Sequence, residues 1–247
     1  MRIYSKTDIG KSRNDNQDAY FAEMLSDNTA FAVVCDGMGG ANGGNIASKR
    51  AVEIIRNYIQ KSFRDNLLEK DITRLLQNAV LSANIELFRM SNEKEELHGM
   101  GTTVVLMLLF NNRAYICHVG DSRAYLINSD IKIITRDHSV VQSLIDSGKI
   151  SAAEALTHPK RNIITRALGV EENVISDIDI VDLNKGDFIL LCTDGLSSSV
   201  SEEFIKETVN EENTDNDLAQ LLVDKANDNG GTDNITAVIV YDDKRGD

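Results

Sequence analysis

The stretch Thr103-Val104-Val105-Leu106-Met107-Leu108-Leu109-Phe110-Asn111-Asn112-Arg113-Ala114-Tyr115-Ile116-Cys117-His118-Val119 decides the fold class. Its first half is apolar and partly β-branched, as a buried strand should be. Two asparagines, residues that tolerate tight turns, separate it from a second run with partial alternation, and this is a hairpin signal. Residues 122–128 and 131–134, flanking the turn Ser129-Asp130, are expected to extend the hairpin into a meander. Turns this short join antiparallel neighbours, because a parallel crossover needs about a dozen residues.

Farther out, residues 30–35, 188–192 and 235–241 carry the same mark of short apolar strands, and residues 19–22 read as strand-like. Two helical stretches lie between the early strands and the hairpin. Ala47, Ala51, Ile54, Ile55 and Tyr58 share one face of the first; Leu75, Leu76, Ala79, Val80, Ala83 and Leu87 share one face of the second. Helices are also expected over residues 201–209 and 216–228. Antiparallel strands in blocks, with helices grouped between them, predict an α+β layered domain rather than alternating βαβ units. The 247 residues hold one proline, Pro159, with no Gly/Ser-rich linker and no repeat, so a single domain over 1–247 is expected.

Acidic residues outnumber basic ones by 39 to 26, and the formal net charge of −13 repels nucleic-acid phosphates and anionic lipid. Neither nucleic acid nor membrane is therefore expected as a partner. Cys35, Cys117 and Cys192 sit in or beside apolar runs without metal-binding spacing, which fits buried thiols in a reducing compartment. With no apolar signal region and no run of membrane-spanning length, the expected location is the cytoplasm.

The chemistry gathers where apolar runs meet aspartate. Residues 32–35 lead into Asp36-Gly37-Met38-Gly39-Gly40, residues 116–120 into Asp121-Ser122-Arg123, and residues 189–193 into Asp194-Gly195; Asp233-Asn234 directly precedes the last strand. Singly, each Asp-Gly reads as a turn, with aspartate bonding nearby backbone and glycine taking positive φ. Together, carboxylates at strand ends can converge on one sheet edge, where their repulsion calls for cations. Carboxylates and carbonyls are hard oxygen ligands suited to Mg²⁺ or Mn²⁺. Without a Cβ at Gly37 the backbone can come close enough for its carbonyl to serve as a ligand. Near the N-terminus Arg13 offers a planar fork for phosphate, and Asp18 adds a carboxylate. The glycines of residues 37–40 are not a P-loop, lacking the GK[ST] ending, and no GxSxG elbow is present.

Arg13…Asn16-Gln17-Asp18, Asp36-Gly37-Met38-Gly39-Gly40, Gly101-Thr102-Thr103, Gly120-Asp121-Ser122-Arg123, Thr193-Asp194-Gly195 and Asp233-Asn234-Ile235-Thr236 occur in this order. The set resembles the bacterial branch of the PPM family, the type 2C metal-dependent protein Ser/Thr phosphatases, over residues 7–241. The resemblance implies an α-β-β-α sandwich of two antiparallel sheets flanked by helices. It also implies hydrolysis of phosphoserine and phosphothreonine by water activated at a binuclear Mn²⁺ or Mg²⁺ centre, without a phosphoenzyme. Asp36 resembles the carboxylate bridging both ions, with the Gly37 carbonyl on one ion and Asp194 and Asp233 on the other. Asp18 would accept hydrogen bonds from water at the ions or stand just behind them. Asp121, with Asp194, resembles the holder of a weaker third ion, and Arg13 the arginine that binds the substrate phosphate. Residues 138–169 resemble the family's flap beside the cleft, where Lys149, Lys160, Arg161 and Arg166 are candidates to meet a phosphopeptide. His138 is expected to act structurally, by capping a helix.

The chain departs from the family's pattern at two points: the histidine that many relatives carry in or just after the glycine motif is replaced by Met38 and Ala41, and the glutamate that some relatives place before the N-terminal aspartate is Gln17. The general acid is left unassigned. Phosphoproteins are the expected partners, among them a bacterial Ser/Thr kinase and its substrates, and a monomer is expected. Two other readings stand beside this one: a non-catalytic phosphoprotein-binding regulator on the same fold, and a two-metal phosphoesterase for small molecules or nucleic acid.

Overall fold

The computed structural model describes residues 1–210 and 213–241; the side chains of residues 40–42, Ala41 among them, also lie outside the described residues. Strands β1 (Arg2–Asp8), β2 (Asp18–Ser26) and β3 (Thr29–Met38) open the chain, followed by helices α1 (Gly40–Ser62) and α2 (Glu69–Glu93). A short strand β4 (Gly101–Thr102) leads to the hairpin of β5 (Val104–Phe110) and β6 (Arg113–Val119). Its turn is made by Asn111 and Asn112 at φ 51° and 59°, the left-handed pair that suits the twist of two-residue hairpins. Then come β7 (Arg123–Ile127), β8 (Ile131–Ile133), helices α3 (Val140–Asp146) and α4 (Ala152–Thr157), and β9 (Asp177–Asp182). The chain ends with β10 (Phe188–Cys192), α5 (Asp194–Ser197), α6 (Glu202–Thr208), α7 (Leu218–Asp228) and β11 (Ile235–Tyr241).

One sheet has the order β1-β11-β10-β7-β8 and the other β2-β3-β5-β6-β9, with β4 beside β3; all recorded strand pairs are antiparallel. Strand alternation builds the layers. Phe31, Val33, Cys35, Leu106 and Leu108 turn outward to pack with Ile55, Leu76, Ala79 and Leu87 of α1 and α2. Ala30, Ala32, Val34, Val105 and Met107 turn inward and meet Ile189, Leu191, Val238 and Val240 of the other sheet. The outer face of that sheet, with Leu190, Ala237 and Ile239, is covered by Leu222, Val223 and Ala226 of α7. These layers form the expected α+β sandwich, α-β-β-α.

The meander expectation fails at one step. β5 and β6 pair as read, and so do β7 and β8, but β6 and β7 lie in different sheets. Residues 120–122 carry the chain across the sandwich instead of around a hairpin, starting from Gly120 at φ 107°. The crossing brings Asp121 to the same end of the molecule as the ends of β3 and β10. Three strands were not foreseen: β1 and the acidic β9, each an outermost strand of its sheet, and the two-residue β4 beside β3.

Small side chains let the two sheets approach, and Ala32 is fully buried between them. Ala32→Leu overfills this layer and should cost about 1–3 kcal/mol. A urea midpoint equal to wild type would show that the layer has slack.

Candidate metal centre

β2 and β3 pair with Asp18 opposite Asp36, so two carboxylates begin as cross-strand neighbours. Asp36 is locked by threonines of the adjoining segment: its N–H donates to Thr103 Oγ1 (3.0 Å), while Thr103 N–H and Thr102 Oγ1 both donate to its carbonyl (2.8 Å each). The next residue has to be glycine. A Cβ on Gly37 would stand 2.0 Å from the Gly44 carbonyl oxygen and 2.6 Å from that of Gln17.

The other sheet supplies the remaining acids. Asp194 opens α5 directly after β10, and Asp233 stands two residues before β11. The two segments touch, since a Cβ on Gly195 would lie 1.9 Å from the Asn234 carbonyl oxygen. Asn234 is the local tie: its amide donates to the Ile9 and Asp15 carbonyls (2.9 and 3.0 Å) and its Oδ1 accepts from Gln17 N–H (2.8 Å). Asp18 fastens sheet to sheet, its Oδ2 accepting from Thr193 Oγ1 (2.9 Å) and Thr236 Oγ1 (2.7 Å).

Asp121 is held through its neighbours. Gly120 N–H donates to His138 Nδ1 (3.1 Å), His138 N–H donates to the Gly120 carbonyl (2.9 Å), and Arg123 grips Asp137 through two bonds of 2.9 and 2.7 Å. His138 is thus structural, as expected, but not as a cap; Ser139 caps α3 by accepting from Gln142 N–H. His118 Nδ1, His138 Nε2 and an Asp177 oxygen lie within 4.8 Å of one another. Because His138 Nδ1 accepts from Gly120, however, its proton sits on Nε2, which faces Asp177 as a donor rather than a cation as a ligand.

Asp36, Gly37, Asp121, Asp194, Asp233 and Arg13 line one cleft of about 700 Å³, with Asp18 buried beside it. From the flap segment Asn162 and Ile164 reach this cleft; Lys149, Lys160, Arg161 and Arg166 are not among its lining residues. Arg13 donates to Asp233 at 2.7 Å, and this bond holds its guanidinium pKa above the usual value.

Burial, reinforced by mutual repulsion, pushes these carboxyls up: Asp18 and Asp121 each from 3.8 to about 7, with Asp36 and Asp194 also raised. Asp18 Oδ1 and Asp194 Oδ1 are buried without a hydrogen-bond partner. Raised carboxyls with orphaned oxygens fit hard divalent cations, which supply the missing contacts and offset the charge.

The family model described as "Protein phosphatase 2C" matches residues 10–224. The chain belongs to that family. The phosphatase is 37% identical over 244 residues to "Serine/threonine phosphatase stp" of Listeria monocytogenes serotype 4b, covering 98% of this chain and 96% of that protein. The crystal structure of the serine/threonine phosphatase Stp1 from Staphylococcus aureus superimposes with a TM-score of 0.91 at 37% identity, covering 99% of this chain and 95% of that one. A PstP catalytic domain solved with two manganese ions is 32% identical, with a TM-score of 0.82 and 96% coverage of both chains. This chain is accordingly a metal-dependent protein Ser/Thr phosphatase.

Reading the sequence missed Thr193 and Thr236, which hold Asp18, and Ser122, whose hydroxyl pairs with that of Thr103 (2.7 Å). Thr193 and Thr236 did stand next to or near the signalled aspartates, and that adjacency was the available sign.

Carboxyls with raised pKa keep protons in the fold that the unfolded chain gives up. The chelated protein therefore loses stability as pH rises from about 4 through about 7. Its Tm with chelator should be lower near pH 8 than near pH 5, with Mn²⁺ raising it more at the higher pH. A Tm with chelator that holds level or rises over this range would contradict the assignment.

Proposed function

We propose that Asp36, the Gly37 carbonyl, Asp194 and Asp233 hold two divalent cations, Mn²⁺ or Mg²⁺, with Asp121 and Asp194 holding a weaker third. Bound there, the ions supply an acidified water nucleophile and offset the charge of the phosphoryl group under attack. Arg13 receives the substrate phosphate: its fork is cationic at every working pH, and its present partner Asp233 is a group the ions would claim. Asp18 keeps Oδ2 on its two threonines and offers the buried Oδ1 as acceptor to water in the site. Thr102 and Thr103 hold the Asp36 backbone still while its carboxylate works. Among the described residues no histidine lines the cleft, and Met38 stands in its wall.

The observation that carries this reading is the convergence of Asp36, Asp194, Asp233 and Arg13, with two orphaned carboxylate oxygens, on one cleft. The biological setting proposed with it is a single domain over 1–247 with a flap at 138–169, a cytoplasmic monomer. It acts in signalling against phosphoproteins made by a bacterial Ser/Thr kinase. No helix of the described residues is long and apolar enough to cross a membrane.

The test is hydrolysis of a phosphothreonine peptide after chelation, with Mn²⁺ or Mg²⁺ added back, by wild type and Asp36→Asn. Activity should return with the cation in wild type and stay at least about 100-fold lower in the variant. A variant turning over at the wild-type rate would remove Asp36 from the centre.

A further inference from the structure

A second hollow of about 370 Å³ adjoins the catalytic cleft, at the lower end of the roughly 300–1,000 Å³ typical of ligand pockets. Met38 and Ile164 line both, so the hollow opens where the cleft ends. Its other apolar walls are Ala167, Val170, Val174 and Ile175. The side chain at position 38 matters here: Met38 Cε reaches toward Gly101 and Val170, as shown by a Cβ on Gly101 falling 2.8 Å from the first and 3.0 Å from Cγ2 of the second.

These walls are rigidly held. Leu168 and Thr102 exchange backbone hydrogen bonds of 2.8 and 3.1 Å, tying the segment to the residues that lock Asp36. Asn84 of α2, fully buried, accepts from Gly169 N–H (2.9 Å) and donates to the Glu171 and Glu172 carbonyls (3.0 Å each). Arg166, the cation on this rim, pairs with Asp177 at 3.0 Å. Yet Val170 and Ile175 are 48% and 73% exposed. A buried amide with all its bonds made thus holds an apolar wall open to solvent, beside the place where the substrate phosphate is to sit.

We propose that this hollow is a substrate subsite, taking an apolar side chain of the phosphoprotein near the phosphorylated residue. The inference rests on the phosphatase reading of the cleft and adds a preference to it. The shared wall selects the occupant: a peptide whose phosphate lies in the cleft and whose chain leaves past Met38 and Ile164 passes directly onto the hollow. An extended chain advances about 3.3 Å per residue, so the occupant lies within roughly four residues of the phosphate. An acidic side chain at that position is disfavoured by Glu171 on the rim.

The experiment walks a single leucine through an alanine-rich phosphothreonine peptide, over roughly four positions on each side. kcat/KM is measured with Mn²⁺ for wild type, Val170→Asp and Ile175→Asn. One position on one side should raise kcat/KM about tenfold in wild type, mainly through KM. The gain should shrink to about twofold or less in both variants. Turnover of p-nitrophenyl phosphate by each variant reports whether its catalytic cleft is assembled. The proposal is overturned if leucine brings no more than about twofold at every position, or if its advantage survives in both variants. It is also overturned if leucine brings nothing while the protein self-associates through this face in an Ile175-dependent way, because the hollow then belongs to a second copy. Wild type that hydrolyses neither peptide nor p-nitrophenyl phosphate with any divalent cation would defeat the underlying phosphatase reading, and the subsite with it.

Discussion

Repulsion between like charges grows as water is withdrawn, and this molecule sets Asp18, Asp36, Asp121 and Asp194 together where two sheets close against each other. Such a group cannot ionise fully without help. It can hold protons or accept cations, and only the second state makes a phosphatase. In the proposed centre, the energy that would drive the acids apart is what would draw the cations in, and the fold must resist it until they bind.

That resistance comes from neutral side chains. Thr193 and Thr236 bind Asp18 across the sandwich, Thr102 and Thr103 bind the Asp36 backbone, and Asn234 ties three backbone groups of the loop at residues 9–17 to the Asp233 segment. None carries charge, so none offsets the negative charge that the cations would balance. Dipoles fixed before the substrate arrives need no rearrangement during the reaction, and this is the condition under which electrostatic catalysis works best.

The layers were readable because alternation and helical periodicity report directly on which face is buried. The β5–β6 hairpin is an example, as are the apolar faces of α1 and α2. The crossing at residues 120–122 was not readable, since a three-residue link ordinarily joins neighbours and nothing in Gly120-Asp121-Ser122 names the sheet that follows. β9 escaped because its sequence, Asp-Ile-Asp-Ile-Val-Asp, puts acids where an edge strand meets water and so does not look like a core strand. At the site the aspartates stood out through their strand-end glycines. The threonine ties did not, because a hydroxyl in the sequence says nothing about a carboxylate 175 or 218 residues away.

β11 lies between β1 and β10, pairing with residues 2–8 along its whole length. During synthesis the ribosome delivers residues 2–8 long before residues 235–241. The sheet cannot close, and Asp233 cannot join the other acids, until residues 233–241 have emerged. A nascent chain that stops short of residue 233 thus exposes β1 and β10 without the strand that separates them, and lacks Asp233 among the acids of the cleft.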